Sequence, residues 1–178
     1  MVIEQKWIVR NRPRRNLKEL KGIVLHWTAN VSKGADADAH YKYFNNANRS
    51  ASAHYIVDDK KVVQLIPDME VAWHVGDKPR STALPYRKQL VPQGGNPNDY
   101  FIGVEMCVNK DGNWIDTLRN TRELLQELFK RYGFDSDNLY RHYDITGKDC
   151  PKMYLPVIIG NEKYDWLWQE FKNSLNPM

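Results

Sequence analysis

Apolar positions along the chain fall into short blocks separated by polar, Gly- and Pro-containing stretches. Gly22-Ile23-Val24-Leu25-His26-Trp27 is apolar and β-branched apart from its histidine, the pattern of a central strand buried on both faces. It ends before the polar Thr28-Ala29-Asn30. Residues 35–46 follow a helical period that directs Ala35, Ala39 and Tyr43, together with His40 and Phe44, to the core. The runs 54–57 and 61–66 flank Asp58-Asp59-Lys60 and predict a β-hairpin.

From Asp77 to Asp99 the sequence is proline-rich, carries Gly94-Gly95 and has no sustained period. It is expected to be a long loop forming a wall or lid of a cleft. Residues 101–108 predict another strand, and 117–132 the best helix, with Leu118, Thr121, Leu125, Leu128 and Tyr132 on one face, widened by Leu124 and Phe129. Asp116 and Gly133 are placed as its caps. Residues 139–142 read as a short last strand and 164–175 as an aromatic closing helix. Interleaved strands and helices argue for a layered domain, and 178 residues suit one domain.

Composition narrows the classes. The chain is 42% hydrophobic and 27% charged, an ordinary globular mix. Two cysteines cannot build a disulfide framework, and no stretch matches a membrane span or a secretory signal. The net charge of +4 favours an anionic partner only mildly. Arg10, Arg12, Arg14 and Arg15 cluster around Pro13 without interleaved aromatics, so they are expected to form a solvated loop leading into the first strand rather than a nucleic-acid site.

The chemistry-bearing residues concentrate in Arg141-His142-Tyr143-Asp144-Ile145-Thr146-Gly147-Lys148-Asp149-Cys150-Pro151. Neutral imidazole and thiolate are zinc donors, and a catalytic site keeps three protein ligands with one position open. His142 and Cys150, joined by a Gly-containing turn, could reach one ion, and His26 could supply a third ligand from the end of its strand. Core residues are the competing reading. On the strand at 101–108, Gly103, Glu105 and Cys107 share one face. A carboxylate there is costly unless it is paired or working, which leaves an ion pair or a general base open for Glu105. Cys107 reads as a buried free thiol. No His-Glu-x-x-His metalloprotease motif occurs.

Five ordered motifs, Val24-Leu25-His26-Trp27-Thr28, Ser52-Ala53-His54-Tyr55-Ile56-Val57-Asp58, Ala72-Trp73-His74-Val75-Gly76, Ile102-Gly103-Val104-Glu105 and Arg141-His142 through Cys150-Pro151, span most of the chain. Together they resemble the zinc-dependent N-acetylmuramoyl-L-alanine amidases of the type 2 amidase and peptidoglycan recognition protein family, especially phage and prophage endolysin catalytic domains. The resemblance implies an α/β fold: a single domain, 1–178 with a family-like core at about 22–151, built on a mixed central β-sheet flanked by helices. It implies Zn2+ held by His26, His142 and Cys150, with Glu105 and Lys148 catalytic. It places His74 and Trp27 toward substrate and keeps His54 at its motif position, either touching substrate or supporting the site. Trp73 lies in the segment that resembles a cleft lining, but by its residue type it reads as core. Some branches use a Tyr where this chain has Ala53, so more proton transfer should fall on Glu105.

The implied reaction is hydrolysis of the amide between N-acetylmuramic acid and L-alanine of peptidoglycan. The alternatives are a peptidoglycan-binding module without catalysis, a structural zinc protein, and a cytoplasmic muropeptide-recycling amidase. The expected molecule is a monomer that binds neither nucleic acid nor membrane, made without a signal peptide and acting on the cell wall after release.

Overall fold

The computed structural model describes residues 3–80 and 84–175. In chain order the main elements are β1 (Ile3–Gln5), β2 (Gly22–Trp27), α1 (Ala37–Phe44), β3 (Tyr55–Val57), β4 (Val62–Gln64), α2 (Pro85–Leu90), β5 (Phe101–Met106), α3 (Trp114–Tyr132), β6 (Leu139–Arg141), α4 (His142–Thr146), β7 (Val157–Ile159), β8 (Glu162–Tyr164) and α5 (Trp166–Asn173). Six strands form one mixed sheet in the order β1-β4-β3-β5-β2-β6, and β7 and β8 form a separate hairpin. The strands β3, β5, β2 and β6 run parallel, with β4 antiparallel to β3.

The apolar run of β2 is explained by its place between β5 and β6, with both faces covered. On one face Ile23, Leu25, Ile102, Val104 and Met106 pack with Tyr55 and Val57 against Leu124, Leu125 and Leu128 of α3 and Phe171 of α5. The opposite face carries Val24, His26, Gly103 and Glu105. His26 is paired in register with Glu105 across the β2–β5 ladder, so the two side chains leave the sheet on the same side. There α1 packs on Ile56, Val63 and Leu65 through Ala37 and Phe44, and the sheet ends open into a cleft.

Several boundaries differ from the sequence expectation. The helix α3 begins at Trp114 because Asn113 Oδ1 accepts the N–H groups of Ile115 and Asp116; Asp116 lies in the first turn instead of capping it. Gly133 does close it, at φ +67°. In α1 the buried residues are Ala37, His40 and Phe44, while Tyr43 is exposed and Ala39 half-buried. Asp36 caps that helix, so that Ala35 lies before it, buried as expected, and Ala37 joins His40 and Phe44 on the core side. The stretch 77–99 contains α2, which buries no residue, and a 3₁₀ turn at Pro97–Asp99; residues 81–83 within it lie outside those described. β5 stops at Met106, and β6 at Arg141, so His142 opens a helix instead of ending a strand. Tyr164 belongs to β8, and α5 starts only at Trp166. β1 precedes the arginine-rich segment, which itself is tied down: the Arg12 guanidinium meets Glu70 through two 2.7 Å hydrogen bonds, and Arg15 pairs with Asp99.

A buried polar network joins the sheet to α3. Asp68 accepts hydrogen bonds from Tyr55 Oη, Gln64 Nε2 at 2.7 Å, Arg131 Nη1 at 2.8 Å and Tyr132 Oη at 2.7 Å. Removing that carboxylate strands four donors, two of them in the interior. Asp68→Ala is expected to cost about 3 kcal/mol in urea unfolding at pH 7. A loss below about 1 kcal/mol, the worth of an exposed ion pair, would contradict this reading.

Candidate metal centre

The carboxyl ends of adjacent parallel strands gather the candidate residues. His26 is the last residue but one of β2, and His142 follows β6 directly as the first residue of α4. The start of α4 is fixed by Arg141, whose backbone N–H donates to Asp144 Oδ2 at 2.8 Å and whose Nη2 reaches Asp144 Oδ1 at 2.7 Å. Gly147 ends α4 in the left-handed region at φ +77°, which a glycine adopts freely. The chain then turns back, and the Cys150 carbonyl accepts from Tyr143 N at 2.9 Å. This return places the Cys150 thiol beside the two histidines.

The donor atoms of His26, His142 and Cys150 all lie within 4.8 Å of one another, and all three residues are buried. His26 Nδ1 is 3.0 Å from His142 Nδ1 and 3.7 Å from Cys150 Sγ. Zinc bond lengths of about 2.0–2.1 Å to nitrogen and about 2.3 Å to sulfur give tetrahedral edges of roughly 3.3–3.6 Å, close to these spacings. The far nitrogens differ: His26 Nε2 is 3.0 Å from His74 Nδ1, whereas His142 Nε2 lies 3.2 Å from Asp77 Oδ2 without hydrogen-bond geometry. Two ring nitrogens and a sulfur thus converge on one point, a donor set that a borderline-soft cation satisfies.

Electrostatics favour neutral rings here. Burial lowers the pKa of His26 well below the ordinary value, helped by the neighbouring His142, His74 and Lys148. Burial likewise lowers His142, with Lys148 adding to it. The Cys150 thiol is pushed up to about 12 by burial and by Glu105, so a cation is required to draw off its proton.

Glu105 carries the next unusual environment. Burial raises its carboxyl to about 8, opposed by the Lys148 charge, and its Oε2 is buried without a hydrogen-bond partner among the described residues. Thr28 Oγ1 is similarly buried and unpartnered. Lys148 is half-exposed, with Nζ 3.4 Å from Asp77 Oδ2. A cleft of about 820 Å³ holds Glu105, Lys148, Cys150, His26 and His142 in its wall, and continues past Trp27, Trp73 and Tyr43.

His54 lies elsewhere. It is fully buried, its Nε2 is 2.8 Å from the Glu70 carbonyl, and its Nδ1 accepts from Gly103 N at 2.9 Å. Both ring nitrogens serve the backbone, so this residue ties β5 to the Glu70 loop instead of meeting a ligand. His74 borders the cleft, but its ring nitrogens are taken by His26 and by the Phe101 carbonyl. Trp73, expected in the core, is 39% exposed and lines the cleft, because the chain turns its neighbour His74 inward. Ala53 is buried, and Cys107 sits 3.8 Å from His40 Nδ1, outside the donor cluster. Asp77 and Tyr43 were not legible as site residues; the placement of Asp77 directly after the Ala72–Gly76 motif is the one available signal.

Comparison with known proteins agrees in sequence and shape. A family model described as N-acetylmuramoyl-L-alanine amidase matches residues 16–153. A probable N-acetylmuramoyl-L-alanine amidase of Bacillus licheniformis is 45% identical over 146 residues, covering 79% of this chain and 39% of that protein. The Bacillus subtilis N-acetylmuramoyl-L-alanine amidase BlyA is 42% identical over 170 residues, covering 92% of this chain and 43% of that protein. The chain therefore spans less than half the length of these relatives. A mutant endolysin from Bacillus subtilis superposes with a TM-score of 0.77 at 31% identity, covering 99% of both chains. The catalytic domain of XlyA superposes with the same TM-score at 28% identity, covering 99% of this chain and 100% of that one.

The buried histidines make stability pH-dependent. Burial lowers His54 to about 4, below its value of ~6.5 in an unfolded chain. The unfolded chain therefore binds a proton that the native one refuses, and stability present above about 6.5 is lost as pH falls toward 4. Urea unfolding of the metal-free protein should lose roughly 2 kcal/mol from His54 alone between pH 7 and pH 5. Equal stability at both pH values would contradict the assignment.

Proposed function

The chain belongs to the N-acetylmuramoyl-L-alanine amidase family, and from that membership and the geometry of its cleft we propose that it hydrolyses the amide between N-acetylmuramic acid and L-alanine in bacterial peptidoglycan. The observation that carries this reading is the convergence of His26, His142 and Cys150 in the wall of a cleft that also holds Glu105, whose Oε2 is buried without a hydrogen-bond partner among the described residues.

Zn2+ is the ion we assign to the three donors, and when bound it supplies Lewis acidity that polarises a carbonyl and acidifies water. Glu105 accepts the proton of the attacking water and returns it to the leaving amine of L-alanine. Burial raises its pKa, and a cation held by the neighbouring donors would lower it again, so that the carboxylate can take up and release a proton near neutral pH. The Lys148 ammonium stabilises the oxyanion that develops at the attacked carbonyl. Its ion pair with Asp77 holds it at the cleft wall beside His142. Trp27 and Trp73 provide flat apolar walls for the muramyl peptide.

Acting on the wall as a monomer would require no membrane insertion, and among the described residues no helix is long and apolar enough to cross a membrane. The mild positive charge suits an anionic wall polymer.

Purified Gram-positive walls digested with the protein should release stem peptides with new L-alanine amino termini by mass spectrometry. A chelator should stop the release and zinc restore it. Glu105→Gln should lower kcat by about 10²–10⁴-fold while leaving zinc content and Tm unchanged. Full activity in that variant, or release that ignores the chelator, would refute the mechanism.

A further inference from the structure

We propose that His74 is a positioning residue that locks His26 in the tautomer with its proton on Nε2, leaving Nδ1 bare for a metal ion. The inference rests on the proposed metal-binding role of His26.

The chain of contacts runs in one direction. The Phe101 carbonyl oxygen can only accept, so the 3.0 Å contact with His74 Nε2 requires the His74 proton on that nitrogen. His74 Nδ1 then carries a lone pair. It faces His26 Nε2 at 3.0 Å, which must donate. The His26 proton is thereby fixed on Nε2, and its Nδ1 turns toward His142 and Cys150.

The surroundings hold the His74 ring in that pose. The backbone N–H groups of His74 and Val75 both donate to Asn98 Oδ1, at 3.0 and 2.8 Å. The His54 ring meets the His74 ring edge-on with centroids 5.7 Å apart. Gly103 provides the space: a Cβ at that position would come within 2.6 Å of the His74 ring. The glycine of the Ile102-Gly103-Val104-Glu105 strand thus has a physical reason beyond backbone freedom. A neutral imidazole in this place orients a ligand without adding negative charge next to Glu105, as a carboxylate partner would.

Without His74, the His26 proton can move to Nδ1, where it blocks the donor position. Partners of this kind are worth about 10–100-fold in metal affinity.

Long-range ¹H–¹⁵N correlation NMR of the metal-free protein at neutral pH tests the lock directly. Both His26 and His74 should be protonated at Nε2; a proton on Nδ1 of either would overturn the proposal. Zinc affinity by competition with a chromophoric chelator should fall about 10–100-fold in His74→Phe. His74→Gln, whose amide oxygen can accept from His26, should recover part of that loss. Unchanged affinity in a folded His74→Phe would overturn the proposal, and if that variant does not fold the NMR measurement on the unaltered chain decides. Nε2 protonation of both rings in an unaltered chain that binds no zinc would support the lock while refuting the metal reading.

Discussion

Three metal-type donors from distant parts of the chain must meet within 4.8 Å in a buried place, and the rest of the fold is arranged around that meeting. Parallel pairing of β2 with both β5 and β6 brings the carboxyl ends of three strands side by side. His26, Glu105 and His142 come from those ends or the residue just beyond, the position where open α/β sheets place their ligands. The left-handed Gly147 then folds the chain back so that Cys150 completes the set. A cluster of buried neutral imidazoles, a protonated thiol and a carboxyl oxygen that has no partner among the described residues is costly without a cation. The site therefore links stability to what it binds.

The same region couples the centre to the C-terminal segment. The Arg141 guanidinium is buried, clamps Asp144, and donates through Nη1 to Asp165 at 2.7 Å and to the Tyr154 carbonyl. It also lies over the Tyr143 and Trp168 rings, at 5.3 Å from each centroid. One buried cation thus fixes the start of α4, where His142 sits, to the start of α5, and removing any of its acceptors leaves a buried charge underpaired. The match of the family model ends at residue 153, so Asp165 and Trp168 belong to a part of the chain that this model does not cover.

Much of this was legible from residue order. The uninterrupted apolar run 22–27 could only be a strand covered on both faces, and the period of 117–132 marked α3 except for its first turn. There Asn113 caps the helix although Asp116 also suited the role by type, since caps depend on which side chain folds back on the free N–H groups. Elements that bury little were hidden. β1 is three residues that gain order by pairing with β4, α2 buries nothing, and the β7–β8 hairpin leaves the apolar Val157, Ile158 and Ile159 exposed, so that run marks no core strand. The donor set could be named from motifs. The histidine roles could not, because sequence does not say which ring nitrogens the backbone takes: His54 spends both on Glu70 and Gly103, and His74 turns to His26.

Zinc K-edge X-ray absorption on the metal-loaded protein tests the central claim most directly. The account predicts one sulfur neighbour from Cys150 and two imidazoles, with the remaining coordination from light atoms. Two sulfur neighbours, which would bring in Cys107 from beside His40, or none, would contradict it.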